Sequence, residues 1–259
     1  MELIVLGSGS NGNAAIVRTA ATTLLVDAGL SAKKTLTRLA SAAIDPGDID
    51  AVLLTHEHGD HAGGLPVLLR HLRCPVYATR LTAEDLQEQD PRYASAEWRL
   101  FATGGAFSLD TLEVTAFSVP HDAADPVGFV IRSDSASLGV ITDLGHANRS
   151  VVHHVAGVNC LFVEANHDEQ MLQADTKRPF AIKQRILSPH GHLSNRAAGE
   201  LAKQVLTSAL SHIILGHLSR DCNTPQLAQL AVESALDGAS VAVLCAGQEG
   251  VLPPVSVGA

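Results

Sequence analysis

The feature that most constrains this chain is the run His56-Glu57-His58-Gly59-Asp60-His61, set directly behind the apolar tetrad Ala51-Val52-Leu53-Leu54. His56, His58, Asp60 and His61 place four potential ligands within those six residues, and imidazole and carboxylate donors hold zinc, manganese or iron. In an extended segment every second side chain points the same way, so His56 and His58 can share one ion. Asp60 and His61, at a turn into a helix, reach a neighbouring position. Such an arrangement serves two adjacent ions better than one. A histidine-rich surface loop is the plainer alternative, but titratable groups seldom crowd the end of a buried strand without a task.

The remaining sequence sets the frame for that run. With 259 residues and 46% hydrophobic content, the chain can bury the core of one layered domain. Aromatic residues make up only 3%, so Val, Leu, Ile and Ala must fill that core. A formal charge of -9 argues against a basic coat for non-specific nucleic-acid binding. It leaves room for a local basic groove, because bound metal ions add positive charge of their own. Cys74, Cys160, Cys222 and Cys245 lie far apart and make no CxxC pair, which argues against a zinc ribbon or redox pair and does not indicate a disulfide framework. The first residues carry no basic n-region or cleavage signal. No apolar run approaches the roughly 20 residues that span a bilayer, so a cytoplasmic protein with no membrane partner is expected.

Leu3 to Leu6 reads as a strand, ended by the turn signal Gly7-Ser8-Gly9-Ser10-Asn11-Gly12-Asn13. Strands at 14–18 and 24–26 follow, so the start is antiparallel. A dinucleotide-binding loop would instead open a helix. Helical spacing appears over 31–42, with Ser31 as N-cap, over 63–72, and over 82–89 behind a Thr-x-x-Asp capping pattern. Strands are expected near 76–78, 112–119, 127–132, 138–141, 161–163, 213–215 and 241–244. Helices are expected around Val151 and over 179–187, 194–206 and 225–236. No repeat or linker divides the chain, which predicts one domain of two mixed sheets with helices outside. That domain covers 1–250, and a loosely ordered, flexible tail over 251–259 follows.

Taken together, these motifs resemble the metallo-β-lactamase superfamily. Thr55 to His61 matches its main metal motif, and Asp27 in Leu25-Val26-Asp27-Ala28-Gly29 matches its first. His121 in Ser118-Val119-Pro120-His121-Asp122, Asp143 in Ile141-Thr142-Asp143 and His217 in Ile214-Leu215-Gly216-His217-Leu218 follow in the family's order. The resemblance implies an α/β (α+β) fold, a four-layer αββα sandwich. It also implies that His56, His58 and His121 hold one metal and Asp60, His61 and His217 a second. Asp143 would bridge them and Asp27 would orient the ligand shell. His58 stands where flavo-di-iron proteins carry a carboxylate, which turns the site away from redox chemistry. The sulfur ligand of many β-lactamases is absent, and Cys222 reads as a small loop residue.

Flanking segments are similar to the YycJ (WalJ) group of bacterial metallo-hydrolases. They are the glycine-rich opening, Glu164-Ala165-Asn166-His167-Asp168, Pro189-His190-Gly191-His192-Leu193-Ser194-Asn195 and Gly216-His217-Leu218-Ser219-Arg220. Gly216, where a serine is expected, and the extra His190 depart from that pattern. The resemblance implies two divalent ions (Zn or Mn, with Fe also admissible), 5′–3′ exonuclease activity on a DNA end, and a role in mismatch repair. Metal coordination brings the pKa of water toward about 7. Asp60 and Asp143 would place the resulting nucleophile, Asp27 would orient the shell, and His192 would assist the leaving group. Asn166, His167, Lys183, Arg185, His192 and Asn195 are the expected substrate contacts, with Lys177 and Arg178 completing a basic stretch. A solvated helix face is the plainer reading of that stretch. Two other functions stay open: a metallo-hydrolase of a cyclic phosphodiester, thioester or lactone, and a non-catalytic metal-binding regulator. A homodimer stays open as well.

Overall fold

In a computed structural model, which describes residues 1–258, the chain forms two seven-stranded sheets packed face to face. The first half runs β1 (Glu2–Gly7), β2 (Ala14–Arg18), β3 (Thr23–Val26), α1 (Ala32–Ser41), β4 (Ala51–Leu53), α2 (Gly59–Ala62), α3 (Leu65–Leu68), β5 (Val76–Thr79), α4 (Arg80–Gln89) and β6 (Trp98–Phe101). The second half continues with β7 (Ala106–Leu109), β8 (Leu112–Ser118), β9 (Val127–Arg132), β10 (Ser137–Ile141), α5 (Arg149–Val155) and β11 (Cys160–Glu164). It ends with α6 (Glu169–Ala174), α7 (Phe180–Ile186), α8 (Asn195–Val205), β12 (His212–Gly216), α9 (Pro225–Leu236), β13 (Ala242–Cys245) and β14 (Val255–Ser256). The sheet orders are β14-β1-β2-β3-β4-β5-β6 and β13-β12-β11-β10-β9-β8-β7. Each sheet is antiparallel at its start and parallel beyond.

The apolar runs read as continuous because each sheet is buried on both faces. Alternation then divides their side chains between layers. In β1, Leu3 and Val5 enter the core between the sheets, while Ile4 and Leu6 pack under the helices of the first sheet with Leu30, Leu39 and Leu65. In β12, Ile214 faces the inter-sheet core, and Ile213 and Leu215 face α8 and α9 beside Leu201 and Val232. Each fully buried Leu, Ile or Val contributes roughly 1.5–3 kcal/mol. Aliphatic side chains therefore suffice in a chain so poor in aromatics. The result is the expected αββα sandwich.

Three local expectations are corrected. The tail is paired: Leu3 registers with Val255, Glu2 with Ser256, and the Val257 amide donates to the Met1 carbonyl. Val255 and Val257 are buried, so this strand covers the edge that β1 would otherwise expose; Ala259 lies outside the described residues. The helix placed at 63–72 is α-helical only over Leu65–Leu68, behind the separate turn α2. The helix expected from Thr82 starts at Arg80, because Thr79 caps it by accepting from the Thr82 amide. Ser31 caps α1 as expected, accepting from the Lys34 amide.

Candidate metal centre

The converging side chains all leave one rim of the sandwich. Asp27 follows β3, the histidine run follows β4, Asp143 follows β10, Glu164 ends β11 and His217 follows β12. The α2 turn sits close against the Asp27 loop, where Ala28 donates to the His61 carbonyl, Gly64 to the Ala28 carbonyl and Asn13 to the Asp60 carbonyl. Any side chain at Gly29 would overlap the Asp60 backbone, so glycine is what admits this close approach. Asp27 and His217 hold left-handed backbones, with φ of 59° and 53°. Each conformation costs on the order of 1 kcal/mol or more and persists only where surrounding contacts over-determine it.

Three groups of donors form around shared positions. His56, His58, His121 and Asp143 place ligand atoms within 4.8 Å of one another, as do Asp60, His61 and His217. Asp143, Glu164, His192 and His217 make the third group. The outward nitrogens of His56, His61, His121 and His217 are fixed by partners, which sets the tautomers of those four rings. His61 Nδ1 meets Asp27 Oδ2 at 2.8 Å, His121 Nδ1 the Gly191 carbonyl at 3.0 Å, and His217 Nδ1 Glu164 Oε1 at 2.7 Å. Thr55 Oγ1 donates to Asp27 and accepts from His56 Nδ1 at 3.0 Å. The inward nitrogens then confront one another: His56 Nε2 lies 3.1 Å and His121 Nε2 3.3 Å from His58 Nδ1.

This donor set fits divalent ions. Nitrogens converging at these distances either share a proton from His58 Nδ1 or turn their lone pairs to a common cation. Asp143 Oδ1 is buried without a hydrogen bond, although His61 Nε2 at 3.3 Å and His217 Nδ1 at 3.1 Å stand beside it unaligned. The electrostatics agree. Burial and the neighbouring imidazoles hold the His56 pKa well below the ordinary value, so it is a neutral donor. Burial also opposes charge on His217, but Asp143, Asp60 and Glu164 outweigh it and push the pKa up to about 10. His61 is likewise raised against burial, by Asp143 and Asp27. Asp143 stays ionised despite burial because His217 and His61 face it. In the metal-free chain, protons on two imidazoles thus neutralise carboxylates that a cation would otherwise bind.

The remaining expected residues divide. Against burial, Glu164 raises the His192 pKa, and His192 Nδ1 lies 2.7 Å from Glu164 Oε1. This leaves Nε2 for the cleft of about 340 Å³ that His192 lines with His58, Asp60, Asp143, Arg185 and His217. Arg185 stands there paired with Asp122. Asn195 and Asn166 are not placed to meet substrate. Asn195 exchanges two 2.8 Å hydrogen bonds with Asn223, and the Asn166 amide donates to the His217 carbonyl. Lys183 turns to the Gln173 carbonyl, and Arg178 pairs with Asp175 and Asp221. His167 is buried outside the cleft lining, with neither ring nitrogen partnered. His190 is exposed, and Cys222 is buried against Arg178 rather than among the donors.

Sequence reasoning missed Glu164, which is fully buried and accepts from His192, His217 and the Leu144 and Leu193 amides. It also missed Thr55, Asn13 and Ser8. Asn13 Nδ2 lies 3.0 Å from His61 Nε2, and Ser8 Oγ accepts from the His217 amide. A signal for Glu164 was present: a carboxylate ending an apolar strand, as Asp27 and Asp143 also do.

Comparison with known proteins bears on the whole arrangement. The β-lactamase superfamily domain model matches residues 22–215. The chain belongs to this superfamily. Its relatives include the exodeoxyribonuclease YycJ of Bacillus anthracis, 37% identical over 92% of this chain and 89% of that protein. The exodeoxyribonuclease WalJ of Streptococcus pneumoniae is 34% identical over 92% of this chain and 89% of its own length. Among solved structures of the superfamily, the metallo-β-lactamase fold protein YhfI of Bacillus subtilis superposes with a TM-score of 0.75 at 18% identity. That match covers 97% of this chain and 98% of the other, and it shows the shared fold. No helix of the described residues is long and apolar enough to cross a membrane.

Proposed function

We propose that this chain is a two-metal phosphodiesterase that removes nucleotides from DNA ends in the 5′–3′ direction. The observation that carries the reading is Asp143, a buried carboxylate grouped with His56, His58 and His121 and lying 3.3 and 3.1 Å from nitrogens of His61 and His217. The choice of a DNA end rests on the exodeoxyribonuclease relatives, which cover nearly the whole chain. His56, His58, His121 and Asp143 would hold one ion, and Asp60, His61, His217 and Asp143 the other. Zinc and manganese both suit such imidazole and carboxylate donors. Such an ion pair supplies an acidified water and neutralises charge that develops on the phosphoryl oxygens.

The protein's own groups do the rest. Glu164 holds the His192 proton on Nδ1 and favours the imidazolium, so Nε2–H can be given to the departing oxygen. Asp27 and Thr55 fix the rings of His61 and His56. Arg185 can exchange Asp122 for a phosphate oxygen, since that pair is partly exposed and therefore weak. The test is digestion of end-labelled single- and double-stranded DNA while Zn²⁺ or Mn²⁺ is titrated in. Nucleotides released from the 5′ end, only with metal, are expected. Label released from the 3′ end first, or equal activity in excess chelator, would overturn the proposal.

A further inference from the structure

Beside the metal cleft lies a second cavity, of about 490 Å³, that the reaction as described does not use. It shares Ser10 with the cleft, and Leu218 on its wall directly follows His217. The two spaces are therefore neighbours on one rim. A volume of this size suits a small ligand, and such sites combine an apolar lining with a few polar groups. Here Leu218, Pro225, Cys245 and Ala246 give the apolar part, while Ser10, Arg220 and the paired charges Arg178, Asp221 and Glu249 stand at the polar edge.

The cavity wall is held by contacts from opposite ends of the sequence. Gln248 Oε1 accepts from the Asn11 amide at 2.9 Å and its Nε2 donates to the Gly12 carbonyl at 2.9 Å. Arg38 braces the same corner, donating to the Leu6 carbonyl at 2.8 Å and the Gln248 carbonyl at 2.7 Å. The Ser8 amide donates to the Gly247 carbonyl. Gly9 has φ of 145°, and a Cβ there would lie 2.7 Å from Gln248 Oε1. The glycine-rich opening is thus shaped against the Gln248 loop. A ligand meeting this wall would find it already formed, with little ordering left to do.

Two polar groups at the edge can serve a ligand. Arg220 is bound only to Glu249, by a pair exposed on both sides, which a phosphate can displace at small cost. Ser10 is exposed and its hydroxyl has no partner among the described residues. The apolar wall offers van der Waals contact to a base or deoxyribose.

We propose that this cavity binds one deoxynucleoside monophosphate unit of the substrate next to the scissile phosphate. The base or sugar lies against Leu218, Pro225 and Cys245, and the flanking phosphate lies at Arg220. The proposal rests on the nuclease reading, but binding tests it separately from hydrolysis. The probe is dTMP, with thymidine and inorganic phosphate as partial probes, titrated calorimetrically into the metal-loaded protein. Cys245→Trp fills the cavity and Arg220→Glu reverses the charge at its edge; thermal melting checks that both variants fold. Each variant should weaken dTMP binding about tenfold or more, and raise KM for an oligonucleotide similarly. Turnover of bis(p-nitrophenyl) phosphate, too small to need the cavity, should stay within about twofold. Thymidine binding lost in Cys245→Trp would support the apolar contact. Undiminished dTMP binding in both folded variants would overturn the proposal. So would inorganic phosphate binding as tightly as dTMP, because the nucleoside would then contribute nothing. If the native protein cleaves no phosphodiester yet binds dTMP in this variant-sensitive way, the nuclease reading fails and the nucleotide site stands.

Discussion

Replacing Glu164 by Gln tests the centre where it depends most on one buried group. The glutamine carbonyl can keep the amides of Leu144 and Leu193, which Glu164 accepts at 2.9 and 3.0 Å. Its NH₂ group then faces His192 Nδ1 and His217 Nδ1, both of which donate to Glu164 at 2.7 Å. Donor confronts donor, so each ring must reverse its tautomer or lose the contact. Two charge-assisted hydrogen bonds at about 1.5–3 kcal/mol each amount to about 3–6 kcal/mol. At 1.4 kcal/mol per decade, that is roughly two to four decades divided between two effects. The His217 half should appear as metal affinity lowered about 10- to 100-fold. The His192 half should appear, at saturating metal, as kcat on bis(p-nitrophenyl) phosphate lowered about 100-fold or more. Glu164 raises the His192 pKa against burial, and the acid must be protonated, so activity is lost as pH rises through that pKa. In Glu164→Gln this basic limb should move to lower pH. A Glu164→Gln/His192→Ala double variant should be no slower than His192→Ala alone when metal is saturating. A kcat within threefold of the native value, with an unmoved basic limb, would refute this reasoning.

Asp143→Asn removes the carboxylate that stands among His56, His58 and His121 and beside His61 and His217. Metal content after dialysis should drop below two equivalents, and activity should fall by more than about 100-fold, beyond what outer-shell changes produce. Metal uptake should also release protons. His217, with a pKa near 10, and His61, also raised, are protonated in the metal-free chain at neutral pH. Calorimetry in buffers of different ionisation heat should therefore detect proton release at pH 7 that fades toward pH 10. A raised folded-state pKa gives stability that is complete below the unfolded value, about 6.5 for His, and lost toward the folded one. The melting temperature of the metal-free chain should accordingly fall between about pH 7 and 10, less so with metal bound. Phe129→Ala, at a fully buried site between the sheets, should cost about 3–5 kcal/mol in urea unfolding. Metal-dependent activity below the new transition should persist.

The sequence by itself determined the layers and most of the donor set. Apolar runs of strand length, broken by turn residues, report a burial that each segment imposes wherever it lies in the chain. Thus β8 to β12 and α9 were legible, and α9 matched its expected bounds residue for residue. His56, His58, Asp60 and His61 were legible because metal chemistry allows few other reasons for that spacing. The tertiary structure decided whatever depends on a partner distant in sequence. Val255–Ser256 looks like a loose tail until the edge of β1 is beside it. Asn195 looks like a substrate contact until Asn223 takes its amide. Glu164 carries no local mark beyond its strand end; its role appears only when His192 and His217 reach it from loops 28 and 53 residues away. The cavity beside Ser10 follows the same rule, since Gly9 and Gln248 meet only in the folded chain. Local sequence encodes burial and donor chemistry, whereas proton position and cavity shape arise from contacts that folding alone creates.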